Sequence, residues 1–343
     1  MKSNLEKILI LILAAILSSN TIAQDISKSG TSAAHFLEIG VGATAIGMGG
    51  AFVSIANDAS ALYWNAGGIA NIPGYEFIAV HTNWIADTKF DFAGLVIPMG
   101  NFGTLGFSFT SLSMNDMKVT TVEMPDGTGE FFSAGDKAFG LTYAKQLTDR
   151  FSIGFTAKYI QQSIWHMNAS AFALDIGSVF KTDLLGGITI GASINNFGTP
   201  MKMEGRDSRY FIRIDETKQG SSERIPTNIE MDEWELPLIF QIGISTDPVK
   251  TENYRLTVAI DAIHPSNNYQ SVNLGGELVF MEFLFFRGGF QSLFLQDSEG
   301  GLVVGLGVNS KMLFSETLVK FDYAYRDFGR LQNVHTFSLN VRF

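Results

Sequence analysis

One pattern constrains the fold more than any other: apolar and polar residues alternate with period 2 along most of the chain. Successive side chains of a β-strand point to opposite faces, so each alternating segment predicts a strand with one apolar and one polar face. Fourteen segments have this pattern. They span residues 75–82, 88–98, 103–112, 136–146, 151–162, 168–180, 187–197, 236–246, 254–263, 269–280, 283–291, 301–309, 317–327 and 334–343.

The length of these segments indicates a barrel that crosses a membrane. Most of them have 8–13 residues, whereas strands of ordinary globular domains average about five or six. A tilted strand that crosses a bilayer needs about 9–11 residues. We therefore predict an all-β fold, a transmembrane antiparallel β-barrel of about 14 strands.

The connections between the predicted strands support this fold. Counted in order, every even-numbered connection has seven residues or fewer, whereas two odd-numbered ones, 113–135 and 198–235, are far longer. Outer-membrane barrels have short periplasmic turns and longer external loops, so we place the start of the first strand and the end of the last one in the periplasm. The last strand carries apolar residues that we interpret as a signal for the barrel-assembly machinery: Phe337, Leu339, Val341 and Phe343.

The N-terminal residues have the three parts of a secretory signal peptide. Lys2 and Lys7 precede an apolar run at 8–17, and small residues at 21–23 suit cleavage. Ten apolar residues are too few for a membrane anchor, which needs about 20. We predict that residues 1–23 are removed and that the chain becomes an integral protein of the outer membrane.

Composition excludes several classes of protein. The formal net charge is −10, and an acidic chain lacks the Lys/Arg surface that nucleic-acid binding requires. Because the chain contains no Cys, disulfide scaffolds, thiolate metal sites and cysteine nucleophiles are excluded. Neither a His-Glu-x-x-His motif nor a Gly-x-Ser-x-Gly elbow is present, so we predict no enzyme activity and no cofactor.

Charged residues occupy the polar, inward-facing phase of the predicted strands. They are four basic and four acidic residues: Lys158, Asp175, Asp261, Glu277, Arg287, Lys320, Asp322 and Arg342. A Lys or Arg on the lipid face would cost about 2–4 kcal/mol near the bilayer midplane. We expect these side chains to neutralise one another in the lumen rather than to form a proton relay or a selectivity ring.

In this prediction residues 24–73 are a separate unit and residues 74–343 form the barrel. Within 32–73 the alternation is lost and small residues dominate, as in Gly47-Met48-Gly49-Gly50-Ala51. Small residues let a backbone lie close to a wall. A 14-stranded barrel is wider than the eight-stranded barrels that side chains alone fill. We therefore predict that residues 24–73 are a hatch that plugs part of the lumen.

Two stretches of this unit carry a family resemblance. They read G-A-x-A-x-G-M-G-G-A-F-V-S and N-D-A-S-A-L-Y-W-N-x-x-G-I-A. The chain resembles the PorV/PorQ family of outer-membrane proteins, which is related to the FadL long-chain fatty-acid transporters. The resemblance implies a hatch with the motif residues Asn57, Asp58, Trp64, Asn65, Gly67 and Gly68. Where the family has Asn-Pro-Ala-Gly, this chain has Asn65-Ala66-Gly67-Gly68, so we expect a looser turn there.

Three function hypotheses remain open. The PorV/PorQ resemblance implies a non-enzymatic component of type IX protein secretion, with translocon components and secreted cargo proteins as partners. The FadL relationship implies instead a channel for long-chain fatty acids or other hydrophobic compounds, with a hydrophobic small molecule as its ligand. In both cases outer-membrane lipid surrounds the barrel. A secreted β-rich hydrolase or lectin is the third hypothesis, and the motifs support it least.

The longest predicted loop, 198–235, is the candidate docking surface. It has nine acidic and six basic residues, and binding residues concentrate in long loops on rigid scaffolds. For the docking role we select Asp215, Glu216, Asp232 and Glu233. A loop of this charge can equally be a hydrated surface without a partner, and that alternative stays open.

Overall fold

A computed structural model describes residues 30–212, 225–295, 298–310 and 317–343. It is built around fourteen long strands. Their bounds are β1 Glu76–Asn83, β2 Lys89–Pro98, β3 Thr104–Ser113, β4 Ala134–Thr148, β5 Phe151–Ile164, β6 Met167–Thr182, β7 Ile188–Gly198, β8 Ile239–Lys250, β9 Tyr254–Pro265, β10 Ser271–Phe280, β11 Leu284–Leu293, β12 Leu302–Asn309, β13 Leu318–Asp327 and β14 Asn333–Arg342.

The strands close into a barrel. Each one pairs antiparallel with its neighbours in the chain, and β14 pairs with β1 through Val341 opposite Phe77. The pairing continues across the longest loop, where Ile239 of β8 lies opposite Asn195 of β7. Closure gives both edge strands a partner. The predicted antiparallel barrel of fourteen strands is therefore confirmed.

One strand begins later than the alternation predicts. β8 starts at Ile239 rather than at 236, because Pro237 has no amide to donate to a ladder. The alternation groups Leu236 with Phe240, which faces outward and is 42% exposed. Leu236 itself is 4% exposed and packs with apolar residues inside the barrel.

The two faces of the wall differ as the alternation predicts. In β14, Phe337 and Leu339 are exposed on the outward face, whereas Ser338 between them is buried. The predicted lumen charges lie on the inward face, where Asp261 and Asp322 are almost completely buried. Apolar side chains thus cover the outside of the wall and polar ones line much of its inside.

The two ends of the barrel have different connections. Short turns lie at one end, the turn end, and longer loops lie at the other, the loop end. Single turns of 3-10 helix occur at Gly100–Phe102 and Leu184–Gly186 in the turn end and at Arg206–Ser208 and Gly329–Leu331 in the loop end. The loop-end ladders pair Met117–Lys118 with Phe131–Phe132, Arg209–Ile212 with Ile225–Asn228, Met201–Lys202 with Glu233–Trp234, and Glu204–Gly205 with β6. Among the described residues, no helix has the length and apolar character to cross a membrane.

Residues 33–72, which we call the lumen segment, lie inside the barrel. They contain α1 (Ala43–Gly47), α2 (Ala61–Trp64) and two 3-10 helices (His35–Glu38 and Ala66–Asn71). α1 packs on β12 and β13, whereas the helix Ala66–Asn71 packs on β4, β5 and β6 across the barrel. A mostly buried segment that contacts opposite sides of a closed barrel occupies its lumen.

The lumen segment runs from the loop end to the turn end. At its start, the Ala33 amide donates to the Glu235 carbonyl of the longest loop at 2.8 Å. Near its end, Asn71 donates to the Ser152 hydroxyl at 3.2 Å, just after the turn that precedes β5. The chain then enters β1 at the turn end, beside Phe343.

Candidate functional site

Wall side chains accept hydrogen bonds from the backbone of the lumen segment. One carboxylate oxygen of Asp261 accepts from two successive amides, Phe52 at 2.8 Å and Val53 at 2.9 Å. Glu76 accepts from the Ala59 amide at 2.8 Å. Buried amides outside helices and sheets need another acceptor. Hydrogen bonds to a charged carboxylate are stronger than hydrogen bonds between neutral groups. These contacts therefore fix the middle of the lumen segment to β9 and β1.

Glycines on the inward face of the wall let the two backbones touch. A Cβ on Gly289 would lie 2.3 Å from the Gly49 nitrogen, and a Cβ on Gly191 would lie 2.2 Å from the Val53 oxygen. A Cβ on Gly154, Gly177, Gly275 or Gly305 would likewise lie within 2.2–2.9 Å of the lumen segment. Only Gly allows such an approach. These glycines were not among the predicted site residues, although Gly at inward positions of alternating strands was a visible signal.

Two predicted hatch residues, Trp64 and Asn65, hold the lumen segment together. Asn65 donates to the Val53 carbonyl at 2.7 Å and to the carbonyl of Ser178, in β6, at 2.9 Å. The indole nitrogen of Trp64 donates to the Val41 carbonyl at 2.8 Å. Both side chains are buried, so their contacts shape the segment and join it to the wall.

Gly67 and Gly68, which the resemblance also singled out, lie where no side chain fits. A Cβ on Gly68 would be 2.4 Å from the Ala56 oxygen, and a Cβ on Gly67 would be 2.8 Å from a wall carbonyl. Asn65 accepts from the Gly67 amide at 3.1 Å and caps the helix Ala66–Asn71. In the structure, close packing and this cap hold the turn that we expected to be looser, without Pro.

Asn57 and Asp58, the remaining motif residues, lie at the turn end of the lumen. The Asn57 carbonyl accepts from Arg342 at 3.4 Å, and Arg342 forms an ion pair with Glu76 at 2.5 Å. Asp58 is buried and accepts from the Ser60 amide at 2.9 Å. Two cavities of about 210 and 220 Å³ flank Asn57 and are lined largely by polar side chains. The turn end of the lumen is therefore polar.

One side of the lumen carries a group of charged side chains. Its members, which we call the charged wall, are Arg255, Asp261, Glu277, Arg287, Lys320 and Asp322. Arg287 is buried at the centre and donates to Glu277 at 2.7 Å and to Asp322 at 2.8 Å. Lys320 lies 3.5 Å from Asp322. Ion pairs thus neutralise seven of the eight predicted lumen charges, whereas Asp261 accepts backbone amides instead. Across the described ranges, no group of three or more His, Asp and Glu side chains could hold a metal ion.

The opposite side of the lumen is apolar at the loop end. Inward residues of β1, β2, β4, β5 and β6 form what we call the apolar wall: Val80, Phe90, Phe92, Ala138, Ile160, Ala169, Ala171 and Ala173. Met201 and Leu236 of the longest loop belong to the same cluster. The space that these residues enclose, the apolar chamber, is filled by residues 33–41, with Phe36 and Leu37 buried in it.

Half of the predicted docking residues can be located. Asp232 and Glu233 are exposed at the loop end, whereas Asp215 and Glu216 lie outside the described residues. The hairpin of Arg209–Ile212 and Ile225–Asn228 also exposes aromatic side chains, Tyr210 at 60% and Phe211 at 62%. The charge pattern gave no indication of these aromatic residues.

The residues predicted to guide barrel assembly lie at the end of the last strand. Phe337, Leu339 and Val341 are on the outward face of β14, opposite in phase to the buried Ser338. Phe343 follows the strand, and its amide donates to the Tyr75 carbonyl at 2.9 Å. Recognition by the assembly machinery stays a prediction.

Comparisons with known proteins agree with this architecture. A family model described as an uncharacterised protein family (UPF0164) matches residues 12–163, and a comparison with curated proteins finds no match. Among solved structures, the chain is similar to a Pseudomonas aeruginosa FadL homologue, with a TM-score of 0.50 and 11% identity over 88% of this chain and 98% of that chain. It is also similar to the Pseudomonas putida toluene transporter TodX (TM-score 0.53, 12% identity, 88% and 97% covered). The chain is similar to the monoaromatic hydrocarbon channel CymD as well, with a TM-score of 0.53 and 12% identity over 88% of this chain and 96% of that chain. At these identities the likeness concerns the fold, which is that of the FadL-type outer-membrane barrels.

Proposed function

We propose that this chain is an outer-membrane barrel that takes up a hydrophobic compound at the loop end, after export by a signal peptide in residues 1–23. The observation that carries the proposal is the apolar chamber on one side of the lumen. The buried apolar residues of 33–41, the first part of the lumen segment, pack against its lining, and the same cluster continues into Leu62 and Ile69 of the part that follows. A hydrophobic molecule of similar shape can therefore replace residues 33–41 without a change in the barrel.

The contacts of residues 33–41 suit such an exchange. At the start, the Ala33 amide donates to Glu235 at 2.8 Å and the Ala34 amide donates to Gln162 at 3.0 Å. Farther along, Tyr63 donates to the Leu37 carbonyl at 3.0 Å and Trp64 donates to the Val41 carbonyl at 2.8 Å. Most of the remaining burial is apolar packing, which has no direction and scales with area. An apolar lining with a few polar groups is usual in small-molecule sites. Two solved structures of this fold are described as a toluene transporter and a monoaromatic hydrocarbon channel, which agrees with a hydrophobic ligand.

In this proposal residues 42–72 are the fixed part of a hatch. Asp261 and Glu76 hold the backbone amides of this part, and the wall glycines leave no gap beneath it. The motif residues Trp64 and Asn65 keep its shape. Residues 33–41 can then leave the chamber while the rest of the lumen stays closed to ions.

A second candidate is the secretion role that the PorV/PorQ resemblance implies. The observation in its favour is the loop-end hairpin, which exposes Tyr210, Phe211 and Ile212 next to the exposed acids Asp232 and Glu233. Large exposed apolar groups rimmed by charge suit a protein partner. In this alternative, translocon components or cargo proteins dock on the hairpin, and the lumen transports nothing.

Two buried phenylalanines of the lumen segment make the test specific. Phe36 lies in the apolar chamber, whereas Phe52 packs with Trp64 in a separate cluster. Because Phe36→Ala empties part of the chamber, we expect the purified barrel in nanodiscs to bind dansyl-labelled undecanoic acid several-fold more tightly. Phe52→Ala removes the same side chain outside the chamber and is the matched control, for which we expect unchanged binding.

Fluorescence titration with competition by unlabelled fatty acid measures this binding. The same affinity in both variants, or no saturable binding at all, would contradict the uptake proposal. The secretion candidate predicts a different result: Phe211→Ser on the hairpin leaves cargo proteins in the periplasm, while binding of the fatty-acid probe does not change with any of these substitutions.

A further inference from the structure

The stretch Glu235–Leu238, through which the longest loop returns to β8, is held from two directions. The Pro237 carbonyl accepts from the side chain of Asn196, in β7, at 3.0 Å. The Glu235 carbonyl accepts from the amide of Ala33, in the lumen segment, at 2.8 Å. We call this stretch the latch. It joins the wall, the longest loop and the start of the lumen segment.

A buried ion pair positions the residue that holds the latch. Lys158 lies 2.6 Å from one oxygen of Asp175, with both side chains at most 10% exposed. The other oxygen of Asp175 accepts from the Asn196 amide at 2.8 Å, and Lys158 donates to the Asn196 side chain at 2.9 Å. Asn196 has a φ of +64° at a β-bulge between β6 and β7. These contacts aim its side-chain nitrogen at Pro237.

The lumen segment is strained where it meets the latch. Ala34 has a φ of +51°, in the left-handed region that is unfavourable for residues with a Cβ. Hydrogen bonds fix it on both sides, from Ala33 to Glu235 and from Ala34 to Gln162. Leu236 of the latch also packs in the cluster around the apolar chamber. Strain of this kind persists only while the surrounding contacts hold it.

We propose that the latch controls access to the apolar chamber. While Asn196 holds Pro237, the strained start of the lumen segment stays in place and residues 33–41 fill the chamber. When the latch moves away from the wall, these residues are released. The inference rests on the proposed function, because a hydrophobic ligand would take the vacated space.

Asn196→Gly tests the latch. It removes both side-chain hydrogen bonds, and Gly adopts a φ of +64° without strain. Asn340→Gly is the matched control, since Asn340 is also buried but lies on β14 near the turn end. Because the chain contains no Cys, Ala33→Cys introduces a single thiol beside the latch. We expect Asn196→Gly to raise several-fold the rate at which a polymer-linked maleimide labels this thiol, and Asn340→Gly to leave it unchanged.

Other results would overturn the inference. An unchanged labelling rate in Asn196→Gly shows that the latch does not hold the lumen segment, and an equal rise in Asn340→Gly shows a general loosening. If the Asn196→Gly barrel does not insert, Ala33→Pro removes the amide donor to Glu235 without touching the wall. In that protein a thiol from Ser32→Cys should again label faster, and an unchanged rate overturns the latch.

Binding of dansyl-labelled undecanoic acid by the same proteins separates the latch from the proposed function. Faster labelling without probe binding supports the latch and overturns the uptake function. Probe binding by the unsubstituted barrel together with unchanged labelling in Asn196→Gly overturns the latch and leaves the uptake function standing.

Discussion

The charged wall and the apolar wall face the same lumen segment but hold it by different physical means. On the charged wall, Asp261 accepts two backbone amides, and Arg287 lies between two carboxylates. These contacts have defined partners and directions. The apolar wall presents Ala, Val, Ile and Phe side chains, and their packing has no preferred direction.

This difference divides the lumen segment into two parts. A hydrogen bond from a backbone amide to a particular carboxylate holds that amide in one position. The stretch around Phe52 and Val53, whose amides donate to Asp261, is therefore fixed. Apolar packing accepts other apolar bodies of about the same volume, so the contents of the apolar chamber can be exchanged.

The largest expected effect concerns the centre of the charged wall. Arg287→Met leaves Glu277 and Asp322 buried without their shared partner. Breaking a buried ion pair in this way typically costs about 3–5 kcal/mol, so we expect a loss of about that size in the free energy of unfolding, measured by urea titration of the purified barrel.

Arg330→Met is the matched control for that substitution. Arg330 is 89% exposed and pairs with Glu299 at 2.6 Å on the surface. Exposed pairs typically contribute less than about 1 kcal/mol. Equal losses for the two Arg variants would mean that the charged wall stabilises the barrel no more than a surface ion pair does.

A second, intermediate effect is expected where the lumen segment touches the wall backbone. The Cβ that Gly289→Ala adds would lie 2.3 Å from the Gly49 nitrogen, whereas at the neighbouring Gly288 it would meet nothing within 4 Å. Overpacking typically costs about 1–3 kcal/mol. We therefore expect Gly289→Ala, but not Gly288→Ala, to lower stability and to raise conductance in planar bilayers. Equal conductance of the two variants would show that this contact does not seal the lumen.

The barrel could be predicted from the sequence because each strand depends on a local pattern. In β14, alternate residues alone distinguish the exposed Phe337 from the buried Ser338. The inward phase of Arg287 and Asp322 follows from the same rule, and so does their mutual neutralisation. Closure then follows from the length and number of the strands.

The contents of the lumen could not be derived in this way. Asp261 and Phe52 are 209 positions apart, and no local pattern joins a carboxylate in a strand to an amide in an irregular segment. The Ala row at 169, 171 and 173 was visible in the sequence, yet it becomes one side of an apolar chamber only after the barrel closes. The latch likewise depends on a bulge at Asn196 that periodicity does not reveal.

The smallest expected effect is a pH dependence at the mouth of the apolar chamber. His35 lies 2.7 Å from Glu38. The hydrogen bond that this carboxylate accepts from the His35 ring raises the pKa of His35 above its ordinary value of 6.5, although burial acts in the opposite direction. A raised pKa in the folded state means that protonated His35 stabilises the docked segment below about pH 6.5. This contribution is lost as the pH rises through the raised pKa.

We therefore expect the thiol from Ala33→Cys to label faster at higher pH, beyond the effect of pH on the thiol itself. The measured quantity is the labelling rate relative to a protein that also carries His35→Gln, whose side chain stays neutral. Because the ion pair is partly exposed and such pairs contribute less than about 1 kcal/mol, this ratio should rise less than about fivefold between about pH 5.5 and pH 8.5. A ratio that stays constant over this range would show that His35 does not help to hold residues 33–41 in the chamber.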